Sequence, residues 1–123
     1  MIVLDTSAVI EVLKGSQKGE KIADLIGADE TAVTAFSVYE MLVGAKSNEI
    51  PKIEAFFNSV RILSFNHIAA LESARLEMEL KAKGRMIEKV DIFISSICIA
   101  SNSRLITLDN DFREIENLEV EIV

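Results

Sequence analysis

Short apolar runs separated by helix-length segments constrain this chain more than any other feature. Ile2-Val3-Leu4, Thr31-Ala32-Val33-Thr34, Val60-Arg61-Ile62-Leu63 and Leu105-Ile106-Thr107 are three or four residues long, the length of strands rather than helices. The first of them does not alternate between apolar and polar, so both of its faces must be covered, as in parallel sheets flanked by helices. Leu118 to Ile122 differs, because Leu118, Val120 and Ile122 alternate with Glu119 and Glu121 in the manner of a half-exposed edge strand. Between these runs the pattern predicts helices over residues 7–14, 17–26, 37–44, 51–58, 67–83 and 88–102. Ser37-Val38-Tyr39-Glu40 has the form of a capping box and would start the third helix at Ser37. Strands alternating with helices predict an α/β protein, a three-layer α/β/α sandwich around a short-stranded parallel sheet, with residues 1–123 forming one domain.

Composition narrows the function classes. Half of the 123 residues are hydrophobic, enough to fill a core. No apolar run reaches the 18 or so residues of a membrane span, and Met1-Ile2-Val3-Leu4-Asp5 lacks the basic start of a signal peptide. A single cysteine, Cys98, excludes an intrachain disulfide and suits a reducing compartment, so a cytoplasmic protein with no membrane partner is expected. Cys98 and the phenylalanines, including Phe36, Phe65 and Phe93, are expected in the core. The formal charge of −7 argues against adhesion to nucleic acid through a basic surface.

In parallel sheets, ligands sit beyond the carboxyl ends of the strands. The residues at those positions are acids: Asp5 after the first strand, Glu40 early in the helix after the second, and Asp109 after Leu105-Ile106-Thr107. Asp91, in the first turn of an otherwise apolar helix, points to the same edge. Crowded carboxylates repel one another, and a divalent cation is the usual remedy. All-oxygen ligands without nearby His or Cys favour Mg²⁺, with Mn²⁺ as a substitute. Each acid also has an ordinary reading: Asp5 capping a helix, Glu40 completing the capping box, Asp91 favouring a helix dipole. Asp111-x-x-Glu114 reads as the opening of a last helical turn, or else places Asp111 in an outer-sphere or substitute metal role. Thr6, Ser7 and Thr107 carry hydroxyls placed either to orient the acids or to cap and end their elements.

The chain resembles a known family at these points. Leu4-Asp5-Thr6-Ser7, Glu40 with Gly44, Lys83-Gly84-Arg85 leading into Val90-Asp91-Ile92-Phe93-Ile94, and Thr107-Leu108-Asp109-Asn110-Asp111-Phe112 look like the successive motifs of PIN-domain ribonucleases. Length and spacing are most similar to the VapC toxins of VapBC toxin–antitoxin modules. The resemblance implies a PIN-like sandwich and a Mg²⁺-dependent endoribonuclease, homodimeric and inhibited by a VapB-type antitoxin. It carries the family's acidic residues onto Asp5, Glu40, Asp91 and Asp109. For an RNA substrate, Arg85 and Lys14 are the candidate phosphate contacts. A phosphoacceptor receiver domain also gathers acids at strand ends, but it needs paired acids after its first strand, where Asp5 stands alone. A PIN nuclease of RNA processing and a degenerate RNA-binding module are the alternatives within the fold.

Overall fold

The computed structural model describes residues 1–123. In chain order it comprises β1 (Ile2–Leu4), α1 (Thr6–Lys14), α2 (Gln17–Ile26), β2 (Thr31–Thr34), α3 (Ala35–Gly44), α4 (Ile50–Ser59), β3 (Arg61–Leu63), α5 (His67–Ala82), α6 (Lys89–Ala100), β4 (Arg104–Thr107), a 3₁₀ turn (Asn110–Glu114) and β5 (Val120–Ile122). The strands form one sheet in the order β3-β2-β1-β4-β5. Every pairing is parallel, and β1 sits centrally with Val3 opposite both Ala32 and Leu105.

Side chains of a strand point alternately to opposite faces, and β1 divides the core accordingly. Ile2 and Leu4 pack with Ala8, Val9, Ile22, Met41, Ile53 and Phe57 of α1–α4. Val3 packs on the other face with Leu76 and Leu80 of α5 and Ile92, Ile94 and Cys98 of α6. The result is the expected three-layer sandwich. All three residues of β1 are buried, which explains why its sequence shows no alternation. No helix is long and apolar enough to cross a membrane.

Several boundaries depart from the sequence pattern for physical reasons. Helix α3 begins at Ala35 because Thr34, the last residue of β2, caps it by accepting from the Ser37 N–H at 3.4 Å. Ser37 is therefore inside the first turn, and Glu40 lies one turn further into the helix rather than in a capping box. Helix α6 ends at Ala100, and Asn102 turns the chain with a φ of 53°. The last turn is capped by Asp109, whose carboxylate accepts the Asp111 N–H at 2.9 Å, so Asp111 does not open it. Gly19 lets α2 press on α1: a Cβ there would stand 2.2 Å from the carbonyl oxygen of Glu11. Cys98 is fully buried, and burial raises its thiol pKa to about 12, as befits a core residue. Phe36, Phe65 and Phe93 pack on one another with ring centroids 4.8 to 5.7 Å apart. Phe36 and Phe93 are partly buried, Phe36 against the core, whereas Phe65 is exposed at the edge of the cluster.

Candidate active site

Asp5 occupies the junction where β1 becomes α1. Its carboxylate caps α1 by accepting the Ala8 N–H at 3.0 Å, a role that any cap residue would fill. It also receives two hydroxyls: Ser7 donates to Oδ1 at 2.6 Å, and Thr107, at the end of β4, donates to Oδ2 at 2.5 Å. Both hydroxyls are themselves held by backbone donors, Ser7 by the Leu108 N–H and Thr107 by the Asp109 N–H, each at 3.0 Å. Thus the chain following β4 fixes both oxygens of an acid on β1. Burial raises the pKa of Asp5; its three hydrogen bonds pull the other way, and the charge of Asp109 adds to the rise.

Asp91 stands in the first turn of α6, half-buried. Its pKa is pushed up to about 6, first by burial and then by the charges of Asp109, Glu88, Asp5 and Glu40. Four other acids therefore press on Asp91 across one sheet edge. The sequence reading anticipated three of them; Glu88 it missed, although an acid three residues before Asp91 on the same helix start was a usable signal. Glu40 reaches the edge from α3 and accepts a hydrogen bond from Thr6 Oγ1 at 2.9 Å. Thr6 also lies 3.1 Å from the hydroxyl of Ser37, a buried residue whose part in this network the capping-box pattern concealed.

No three of these side chains already form a metal cage. The donor set nevertheless suits a hard divalent cation: it consists of carboxylate oxygens, it carries excess negative charge, and Asp5, with Oδ1 accepting two hydrogen bonds and Oδ2 one, keeps a free lone pair on Oδ2.

The predicted phosphate contacts lie elsewhere. Lys14 closes the nine-residue α1 that Asp5 opens, so about 13 Å of helix separates them. It pairs with Glu11 at 3.6 Å. Arg85, on the connection between α5 and α6, is paired with Glu114 of the 3₁₀ turn. A groove of about 210 Å³ starts at Thr6 and Glu40 and continues over Ile10, Met41 and Ile53. A second groove shares Ile10, Met41, Glu49 and Ile53 with it and extends to Lys14 and Lys52.

Comparison with known proteins agrees with this geometry. A family model described as the PIN domain matches residues 2–118. No curated protein sequence matches. Among solved structures, VapBC2 from Rickettsia felis bound to a promoter DNA fragment superposes with a TM-score of 0.88 at 26% identity, covering 100% of this chain and 99% of that one. VapBC-1 from nontypeable Haemophilus influenzae gives 0.84 at 26% identity, covering 99% and 98%. VapBC-5 from Mycobacterium tuberculosis gives 0.73 at 27% identity, covering 98% and 95%. With acids at the carboxyl ends of a parallel sheet and a family match across nearly its whole length, the chain belongs to the PIN-domain family of nucleases.

Proposed function

We propose that this single-domain protein is a Mg²⁺-dependent endoribonuclease of the VapC type, the toxin of a toxin–antitoxin pair, with Mn²⁺ able to replace Mg²⁺. The observation that carries the reading is the PIN-domain match over residues 2–118, with Asp5 held by Ser7, Ala8 and Thr107 at the carboxyl edge of the sheet. Asp5 and Asp91 are the residues that would hold the ion, and Asp109 would complete the donor set. Ser7 and Thr107 fix the orientation of the Asp5 carboxylate. Asp111 contributes its N–H to Asp109 and so steadies that carboxylate from behind. Glu40 orients the attacking water and accepts its proton. A bound divalent ion would supply charge neutralisation and a more acidic water at neutral pH.

An acidic protein acting on RNA is consistent with this chemistry, because phosphate affinity then comes from the metal site more than from a basic surface. Arg85 joins the backbone of the substrate by exchanging Glu114 for a phosphate, an exchange of like partners that costs little at an exposed position. Lys14 contacts a more distant phosphate along the groove.

The partner we assign is a VapB-type antitoxin. A basic side chain inserted beside Glu40 and an amphipathic helix laid over Ile10, Met41 and Ile53 would fit the groove's mixture of acid and apolar surface. Homodimerisation is supported by the exposed apolar side chains Tyr39 and Val43 on α3 and Ile68, Leu71 and Met78 on α5. The test is cleavage of structured RNAs with Mg²⁺, repeated with EDTA and with Asp5→Asn. Cleavage should vanish in both; cleavage that persists in both overturns the metal-carboxylate mechanism.

A further inference from the structure

We propose that Ser37 is a positioning residue for Glu40, acting through the hydroxyl of Thr6; the proposal rests on the nuclease reading above. The three groups form a chain: Ser37 Oγ lies 3.1 Å from Thr6 Oγ1, which lies 2.9 Å from Glu40 Oε1. The Thr6 hydroxyl has one proton for these two contacts. The geometry has Thr6 facing both groups as a donor. An ionised carboxylate can only accept whereas a serine hydroxyl can also donate, so the network is complete when Thr6 gives its proton to Glu40 and Ser37 rotates its own proton toward Thr6.

Burial supplies the anchor. Ser37 is wholly buried, Thr6 half-buried and Glu40 exposed, so order passes outward from the interior to a flexible side chain. Ser37 is itself fixed at the start of α3 by its N–H to Thr34 Oγ1. Ser37 and Glu40 are three residues apart on α3 and share the face turned to α1. Two buried serines of α6 offer a contrast. Ser95 and Ser96 donate to the carbonyls of Asp91 and Ile92, one turn back, whereas Ser37 has no such bond. A buried hydroxyl without a partner is costly, and Thr6 is the hydroxyl that meets it.

The experiment uses the full chain with Ser37→Ala, Ser37→Cys, Thr6→Val and the double variant Ser37→Ala/Thr6→Val. Cysteine fills the space of serine but donates weakly, and Thr6→Val keeps shape while removing the hydroxyl. RNA cleavage under saturating Mg²⁺, Mn²⁺ affinity by calorimetry and thermal melting are followed together. Each single variant should lose about tenfold in kcat with KM little changed, the range seen when groups supporting a metal site are removed. Ser37→Ala should do nothing further once Thr6→Val has broken the chain. Mn²⁺ affinity should change little in any of the variants, because Glu40 serves the attacking water while Asp5 and Asp91 serve the ion. Equal losses from Ser37→Ala in both backgrounds would reveal a general packing effect and overturn the relay, as would wild-type kcat in Ser37→Cys. If Ser37→Ala unfolds, Ser37→Cys carries the test alone. A wild-type protein that neither binds Mn²⁺ nor cleaves RNA would overturn the nuclease reading itself, an outcome separate from failure of the relay.

Discussion

Neutralising Asp91 should stabilise the metal-free protein while destroying its activity. Asp91→Asn removes the charge on which burial and four neighbouring acids act. The rise from 3.8 to about 6 would correspond to about 3 kcal/mol if the site were fully shielded from solvent. The side chain is only half-buried, and solvent screening reduces this to about 1–2 kcal/mol. For a domain of this size the change raises the melting temperature by about 5 °C. The pH dependence follows from linkage. A carboxyl whose folded pKa is raised binds its proton more tightly in the native state than in the unfolded chain. Its destabilising effect is absent below about pH 4, where both states are protonated, grows as pH rises, and is complete above about pH 6. Melting curves of wild type and Asp91→Asn in EDTA should thus converge near pH 4 and separate at neutral pH. Adding Mn²⁺ should then raise the wild type more than the variant, because the ion binds the native state and needs the charge. A variant less stable than wild type at neutral pH in EDTA, or a difference independent of pH, would refute the electrostatic account.

Further expectations concern Asp5, Thr107, Gly19 and Arg85. Asp5→Asn keeps a good helix cap, so it should fold while losing about a hundredfold or more in cleavage; Asp5→Ala should lose about 1 kcal/mol of stability in addition, seen in denaturant titration. Thr107→Val removes the donor to Asp5 Oδ2 and should cost about tenfold in cleavage, with weaker Mn²⁺ binding by calorimetry. Gly19→Ala places a methyl against the Glu11 carbonyl and should cost about 1–3 kcal/mol in denaturant titration, although alanine is the better helix former. Arg85→Ala should alter the melting temperature by about 1 °C or less, since its ion pair is exposed, while raising the KM for RNA a few-fold.

Most of the sandwich was legible because buried parallel strands write a plain signal. Ile2-Val3-Leu4 and Leu105-Ile106-Thr107 are apolar on both faces, and no other structure suits runs of that length. The positions of Asp5 and Asp109 were legible for a related reason, since each closely follows such a strand, although both also cap the element that comes next. What could not be read were choices among equivalent donors. Thr34 and Ser37 are both good caps, and only the end of β2 selects Thr34. Asp109 and Asp111 both suit the start of a turn, and the bond from Asp109 N–H to Thr107 favours the former. Gly19 reads as a flaw in a helix until α1 is seen lying against it. The surface position of Phe65 likewise depends on packing between α3, α6 and the segment before α5.

The central place of β1 has a consequence for synthesis. Thr107, which fixes one oxygen of Asp5, follows it by 102 residues, and β4 pairs along the full length of β1. Domains are made from the N-terminus at about 5–20 residues per second, and contacts this distant in sequence form late. Until β4 has been made, Asp5 is therefore present but unaimed, on a strand missing one of its two neighbours. The acidic edge comes into being only when β4 emerges and closes on β1. Under the proposed function, a nascent chain without β4 would be inert toward RNA.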